Sequence, residues 1–243
     1  MEPGYRLRPT QLNSFKEAAM ARYERNHPAI SEAEQEILAK KRVLVAGCGG
    51  LGGYIIELLG RIGVGHLTVV DGDVFIQSNL NRQLLSSNDT LGRKKPDCAA
   101  ERMRSVNPLV SLRPVSTFIT EENAEDLIAG HDVVVDALDN GPTRIILARA
   151  ARKLKIPFVS GAISGWRGRV FVLMPDDLSA DFLWCGEKGV IQGNLCFAAS
   201  STASVQAAET VKLLLDRPGL LHGRLLEFDL LSGQWEEIPL DLS

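Results

Sequence analysis

The stretch RVLVAGCGGLGGYIIELLGRIGVGHLTVVDGD, Arg42 to Asp73, decides the fold. An apolar run, Val43 to Ala46, enters Gly47-x-Gly49-x-x-Gly52. An amphipathic segment follows, and a second apolar run ends in Asp71. That is the order of a strand, a tight turn, a helix and a second strand. Glycines let the backbone turn sharply and approach a phosphate at the helix N-terminus, where free N–H groups and the helix dipole favour negative charge. An acid about 20 residues further on suits ribose hydroxyls, which makes Asp71 the candidate. NAD and ATP both satisfy this pattern, so other residues must decide the nucleotide.

A chain of 243 residues can bury a full core. Its 45% hydrophobic and 23% charged content is ordinary for a globular protein. A net charge of −3 gives no support for general nucleic-acid binding. No apolar run approaches the roughly 18 residues of a membrane span, and MEPGYRLRPTQLNSF has no apolar signal-peptide core. Cys48, Cys98, Cys185 and Cys196 are scattered with no CxxC pair. That spacing argues against a zinc site and a disulfide framework, and fits a reducing cytoplasm.

The rest of the chain extends the strand–helix rhythm. A short helix is expected around Thr10–Glu24, and Ser31-x-x-Glu34 reads as a capping box opening a helix to about Lys40. Strands are expected at Val43–Ala46, Leu67–Val70, Ser111–Val115, Val133–Ala137 and Phe158–Ser160. Helices fall between them at Leu51–Ile62, Pro96–Val106, Glu122–Ala129 and Thr143–Leu154. The alternation predicts an α/β, Rossmann-like, mainly parallel sheet with helices on both faces. After Gly161 the rhythm changes. A strand at Gly168–Pro175, a loop of Asp176–Phe197, a helix at Ala198–Leu215 and a hairpin about Ser232-Gly233 predict added antiparallel strands. The organisation expected is an N-terminal helical segment, 1–41, and one domain, 42–243. Its nucleotide-binding half is 42–162; its antiparallel half is 163–243, with a crossover loop at 176–197.

Three polar clusters bear on the nucleotide. Asn79, Arg82 and Gln83 follow the second strand, at the carboxyl edge where open parallel sheets bind ligands. Pro96 suits the first turn of a helix, so Lys95 stands at that helix's positive end, an unfavourable place unless an anion is near. Asp139-Asn140 lies in the loop after the strand ending at Asp136. Two cations and a facing carboxylate suit a triphosphate with the magnesium that bridges it, not a nicotinamide. The nucleotide expected is ATP.

With these motifs in order, GCGGLGG…DGD…SNLNRQ…GRKKP…NP…DALDN…R, the chain resembles the MoeB/ThiF/HesA-type adenylyltransferases of the ubiquitin-activating-enzyme superfamily. The resemblance runs from Arg22 to about Leu240. It implies that Gly47, Gly49, Gly50 and Gly52 line the phosphate and adenosine side, and that Asp71 holds the ribose. Asn79, Arg82, Gln83 and Lys95 would hold phosphates, and Asp139 the magnesium. RYERN, Arg22 to Asn26, resembles a segment whose second arginine, here Arg25, reaches the ATP of a partner subunit. A homodimer with two composite sites is thus implied. The family reaction is attack on the α-phosphorus by the C-terminal glycine carboxylate of a ubiquitin-fold sulfur-carrier protein ending in Gly-Gly. The paired CxxC motifs that hold zinc in many members are missing, which marks a zinc-less variant. The family position for covalent transfer falls near Gly189, with Cys185 and Cys196 close by; handing the acyl-adenylate to an external sulfur donor fits better. Two other functions compete: an NAD-dependent oxidoreductase, which needs a downstream catalytic pair not evident here, and a non-catalytic scaffold, which would have lost the arginines or Asp139. A relative that activates a small peptide or nucleoside is a further alternative.

Overall fold

The computed structural model describes residues 21–177, 184 and 192–242. Among these residues, β1 (Arg42–Ala46), β2 (His66–Val70), β3 (Ser111–Val115), β4 (Val133–Asp136), β5 (Phe158–Ser164), β6 (Arg167–Leu173), β7 (Arg224–Asp229) and β8 (Gln234–Pro239) form one sheet. Its order is β3-β2-β1-β4-β5-β6-β7-β8. Strands β1 to β5 pair in parallel, and β5 to β8 antiparallel. The α/β class, the mainly parallel sheet and its antiparallel extension are therefore as the sequence predicts.

The central strands explain the layers. Alternate residues of a strand face opposite sides, and β1 is apolar on both. Val43 and Val45 join one core cluster, and Leu44 and Ala46 the other. The first cluster contains residues of α2 (Gly52–Ile62), α3 (Lys95–Val106) and α6 (Cys196–Leu214); the second contains residues of α4 (Ala124–Ile128) and α5 (Gly141–Lys153). Helix α1 (Glu32–Leu38) begins with the expected capping box. Ser31 Oγ accepts from the Glu34 N–H at 3.3 Å, and the Glu34 carboxylate accepts from the Ser31 N–H at 2.9 Å.

Three differences from the sequence reading have physical causes. Strand β5 runs on to Ser164, because Gly161 to Ser164 pair with Val170 to Arg167 of β6; nothing local in GAIS announces that partner. Helix α6 starts at Cys196, two residues early, within the usual uncertainty of helix ends. Short 3-10 turns at Gln77–Asn79 and Asn88–Thr90 organise the segment between β2 and α3. The expected helix at Thr10–Glu24 lies mostly outside the described residues, as does most of the loop Asp176–Phe197 with Cys185. Trp184 is described and is core: it packs edge-on against Phe158 at 6.1 Å and tilted against Phe171 at 5.7 Å. Among the described residues no helix is long and apolar enough to cross a membrane.

The strand order reverses between β1 and β4. Loops leaving their carboxyl ends diverge, and the crevice between them is where open α/β sheets bind ligands.

Candidate nucleotide site at the switch point

The glycine loop fills the bottom of that crevice. Gly47 has φ +99°, a left-handed conformation that favours glycine. A Cβ there would stand 2.6 Å from the Ala137 carbonyl, so the loops after β1 and β4 touch. Gly52 is needed for packing, since its Cβ would meet the Gly47 carbonyl at 1.9 Å. It lets α2 pack onto the loop and does not itself line the crevice. A Cβ on Gly49 or Gly50 would stand 3.4 Å from Gln83 Nε2 and 3.7 Å from Arg82 Nε. Both polar side chains therefore lie over the glycines. Arg82 Nη1 donates to the Ser78 carbonyl at 3.1 Å and to Asn81 Oδ1 at 2.9 Å, which aims the guanidinium. Among the described residues the buried Gln83 side-chain oxygen has no hydrogen-bond partner.

Asp71, at the end of β2, is held by two backbone N–H groups. Its carboxylate accepts from Cys48 N–H and Asp73 N–H, each at 2.8 Å. Burial pushes the Asp71 carboxyl above its ordinary range, against the N–H of Cys48 and the Lys95 cation, which favour the charged form. Burial and the neighbouring Asp71 push the Cys48 thiol well up, so it is an inert packing group. Lys95 begins α3 and is only 6% exposed. Its Nζ lies 3.1 Å from Asp73 Oδ2 and 3.9 Å from Asp71 Oδ2. The protein's own carboxylates thus already answer the positive charge at this helix end.

The opposite wall is built from β4. Asp136 is fully buried and accepts from Ser160 Oγ at 2.7 Å and from Leu138 N–H at 3.0 Å. Arg144 Nε lies 3.5 Å from it. Burial pushes the Asp136 carboxyl upward, while the Arg144 guanidinium and the Ser160 hydroxyl hold it back. Arg144 also donates to the Leu138 carbonyl, and through Nη2 to the Gly161 carbonyl at 3.1 Å. One guanidinium therefore ties the turn 137–140 to β5. Asp139 sits on that turn, exposed and facing the crevice. Among the described residues no three His, Cys, Asp or Glu side chains gather as a resident metal site requires. A single carboxylate before an open cavity suits a magnesium ion that arrives on phosphates and keeps its waters.

The result is one cavity of about 700 Å³, within the ordinary range for small-molecule sites. It brings together Gly47, Gly49, Gly50, Asp71, Arg82, Gln83 and Lys95, with Asp139 on the β4 side. Besides Gly52, two expected residues are not among its walls. Asn79 is buried beneath the site, where its Oδ1 accepts from Ile76 N–H at 3.0 Å and closes the 3-10 turn that presents Arg82 and Gln83. Arg25 lies in the turn Glu24–Asn26, which Asn26 ties to Gln35; Gln35 in turn donates to the Ile62 carbonyl at the far end of α2. Arg25 thus stands a helix length away from the glycine loop of its own chain, about 16 Å for eleven residues.

The structure adds residues that the sequence did not single out. Asp136, Ser160 and Arg144 form the buried frame of the wall; Arg144 ends the DALDN…R pattern, the one signal that could have flagged it. Phe118, 65% exposed, lies against Gly72 beside Asp71, and a Cβ on that glycine would meet its ring at 2.6 Å. The cavity also continues past Arg144 over the antiparallel strands, along Ala162, Arg167, Arg169 and Glu227. Trp166 is not part of it and instead packs on Phe197 at 4.7 Å.

This sheet and crevice define a Rossmann-like protein with its main described cavity at the switch point. Residues 23–243 match the model of the ThiF family, and the chain belongs to that family. It is 40% identical over 209 residues to the SAMP-activating enzyme E1 of Haloferax volcanii, covering 83% of this chain and 77% of that one. To the molybdopterin-synthase adenylyltransferase of Escherichia coli it is 34% identical over 217 residues, covering 85% and 86%. Among solved structures, Escherichia coli MccB crystallised with ATP superposes with a TM-score of 0.79 at 17% identity, covering 91% of this chain and 71% of that one. That likeness is one of fold.

Proposed function

We propose that this protein is an ATP-dependent adenylyltransferase that activates the C-terminal glycine carboxylate of a ubiquitin-fold sulfur-carrier protein ending in Gly-Gly. The observation that carries the reading is the two-armed cavity. One arm joins the glycine loop to Arg82, Gln83, Lys95 and Asp71; the other runs over β5 and β6, with Asp139 between them. The names of the Haloferax and Escherichia relatives point to the same class of reaction.

In this reading the α2 N-terminus, Arg82 and Lys95 receive the phosphates, Asp71 the ribose and Gln83 a phosphate oxygen, while Asn79 acts by holding their turn. A carboxylate is ionised at neutral pH, so no general base is needed. Its oxygen attacks the α-phosphorus, the bond to the bridging oxygen breaks, and pyrophosphate leaves with the electron pair. The protein's work is to hold two anions together and to stabilise charge on the leaving group. Magnesium, held through Asp139, would neutralise phosphate charge. Arg25 would serve a second copy of the chain, since its own site is out of reach; that requires a homodimer. Residues 42–162 then form the nucleotide-binding half and 163–243 the carrier-binding half. A cytoplasmic location belongs to the same reading.

The test is ATP–pyrophosphate exchange with magnesium, using a carrier ending in Gly-Gly and the same carrier without that dipeptide. Exchange only with the intact tail is expected, falling about 10²- to 10³-fold in Asp139→Ala, as for loss of a preorganised stabilising group. ATP binding without exchange on any such carrier would turn the reading toward a scaffold or a small substrate.

A further inference from the structure

The two arms of the cavity are joined by one side chain. Asn81 stands just after the 3-10 turn Gln77–Asn79 and just before Arg82. Its Oδ1 accepts from Arg82 Nη1 at 2.9 Å, and its Nδ2 donates to the Asn194 carbonyl at 3.1 Å, 113 residues away in sequence. One end of the amide faces a donor and the other an acceptor, which fixes its orientation. A carboxylate here could not donate to the carbonyl, and a cation could not accept from the guanidinium.

Both partners of Asn81 line the cavity. On one side Arg82 lies along the glycine loop, since a Cβ on Gly50 would stand 3.7 Å from its Nε and 3.8 Å from its Cδ. The Ser78 carbonyl shares the hold on Nη1 at 3.1 Å. On the other side Gln192, Gly193 and Asn194 form a stretch of wall beside the turn between β5 and β6. The Gly165 N–H of that turn donates to the Gly193 carbonyl at 2.9 Å, and Gly165 pairs with Asn194 in an isolated bridge. Helix α6 begins two residues later, at Cys196. Gly165 thus ties the stretch to the antiparallel half, and Asn81 ties it to the segment that presents Arg82. An arginine loses much rotamer freedom when a ligand immobilises it. Holding Nη1 beforehand removes part of that loss from the binding step.

On the reading of Arg82 as a phosphate ligand given above, we propose that Asn81 is a positioning residue: it presets the Arg82 guanidinium for the phosphates and ties it to the Gln192–Asn194 wall of the cavity. ATP held by Arg82 therefore steadies that wall, and a steady wall favours ATP, because such linkage is reciprocal. The loss of Asn81 falls on the phosphates and spares the nucleoside.

The experiment measures binding of ATP with magnesium, and of adenosine, to the full chain and its variants, together with hydrogen exchange at the Gly165 N–H. Asn81→Ala should raise the ATP dissociation constant roughly threefold to tenfold, the effect of one ordinary hydrogen bond, and leave that of adenosine within about twofold. Arg82→Ala should weaken ATP more. Adding Asn81→Ala to it should weaken ATP no further, because both act through one guanidinium. In the wild type ATP should slow exchange at Gly165, and in Asn81→Ala it should not. An unchanged ATP affinity in Asn81→Ala overturns the proposal. Equal losses for ATP and adenosine also overturn it, since the residue would then only support the fold. Additive losses in the double variant, or a Gly165 N–H indifferent to ATP in the wild type, do the same. Should Arg82→Ala bind ATP as tightly as the wild type, the phosphate reading of Arg82 itself fails, and the role of Asn81 goes with it.

Discussion

The two halves of this sheet are built by opposite rules. In the parallel half, β1 and β4 are buried on both faces, apart from Arg42 at the start of β1. The loops at their ends are so close that a single added methyl group on Gly47 or Gly52 would strike backbone. In the antiparallel half, every residue of β8 is exposed. Its free edge is guarded by Glu236, Glu237 and Pro239, residue types that discourage pairing with another sheet. A rigid, fully packed floor can hold phosphate-binding groups in place, whereas an open polar sheet face leaves room for a macromolecule. The proposed division between nucleotide and carrier follows that contrast.

The contrast breaks first at Asp136. Asp136→Ala leaves Arg144 buried without its counter-charge, and should cost about 3–5 kcal/mol of unfolding free energy, read by urea denaturation. A variant as stable as the wild type would show that the frame of the β4 wall lies elsewhere. Next is Gly52→Ala. A Cβ 1.9 Å from the Gly47 carbonyl forces α2 off the loop, with a cost near the top of the roughly 1–3 kcal/mol usual for overpacking. Calorimetry should find ATP binding lost in that variant even at temperatures where it stays folded. The antiparallel half should be more forgiving. Trp235 stacks on Phe228 at 4.4 Å and is about half exposed. Trp235→Ala should cost about 1 kcal/mol and leave ATP affinity unchanged; a large loss of affinity would couple the halves more tightly than the packing implies.

The smallest effect sharpens the picture of the parallel half. His131 donates through Nδ1 to the Ile128 carbonyl at 2.9 Å and accepts at Nε2 from Thr68 Oγ1 at 2.8 Å, a tautomer assigned from its partners. Burial lowers its pKa. The native state therefore takes up this proton less readily than the unfolded chain does. Its contribution to stability is present above the ordinary imidazole pKa of 6.5 and is lost as pH falls through the lowered native value. Melting temperatures of wild type and His131→Gln should converge on acidification. Parallel curves would mean that His131 titrates as it does in the unfolded chain.

Much of this is legible in the chain alone. Strand β3 falls on its expected bounds, and the capping box at Ser31 and Glu34 forms as its residues indicate. The glycine loop, Arg82, Gln83, Lys95 and Asp139 do converge on one cavity. Those signals are local: apolar periodicity, a glycine pattern, a capping residue, a loop at a strand end. What stayed hidden depends on distant partners. Asn79 looked like a ligand-binding group, and its side chain instead closes a turn. Lys95 looked like an unanswered cation, and it is answered by Asp71 and Asp73, 24 and 22 residues away.

By itself the sequence determined the class of fold, the order of its elements and the glycine loop that lines the cavity, because each of these rests on spacing along the chain. Only the tertiary structure decided which charges neutralise each other, that Arg144 is spent on the frame of the β4 wall, and that Asn79 closes a turn and does not line the cavity. Burial and charge pairing are properties of surfaces brought together by folding. No interval of sequence encodes them.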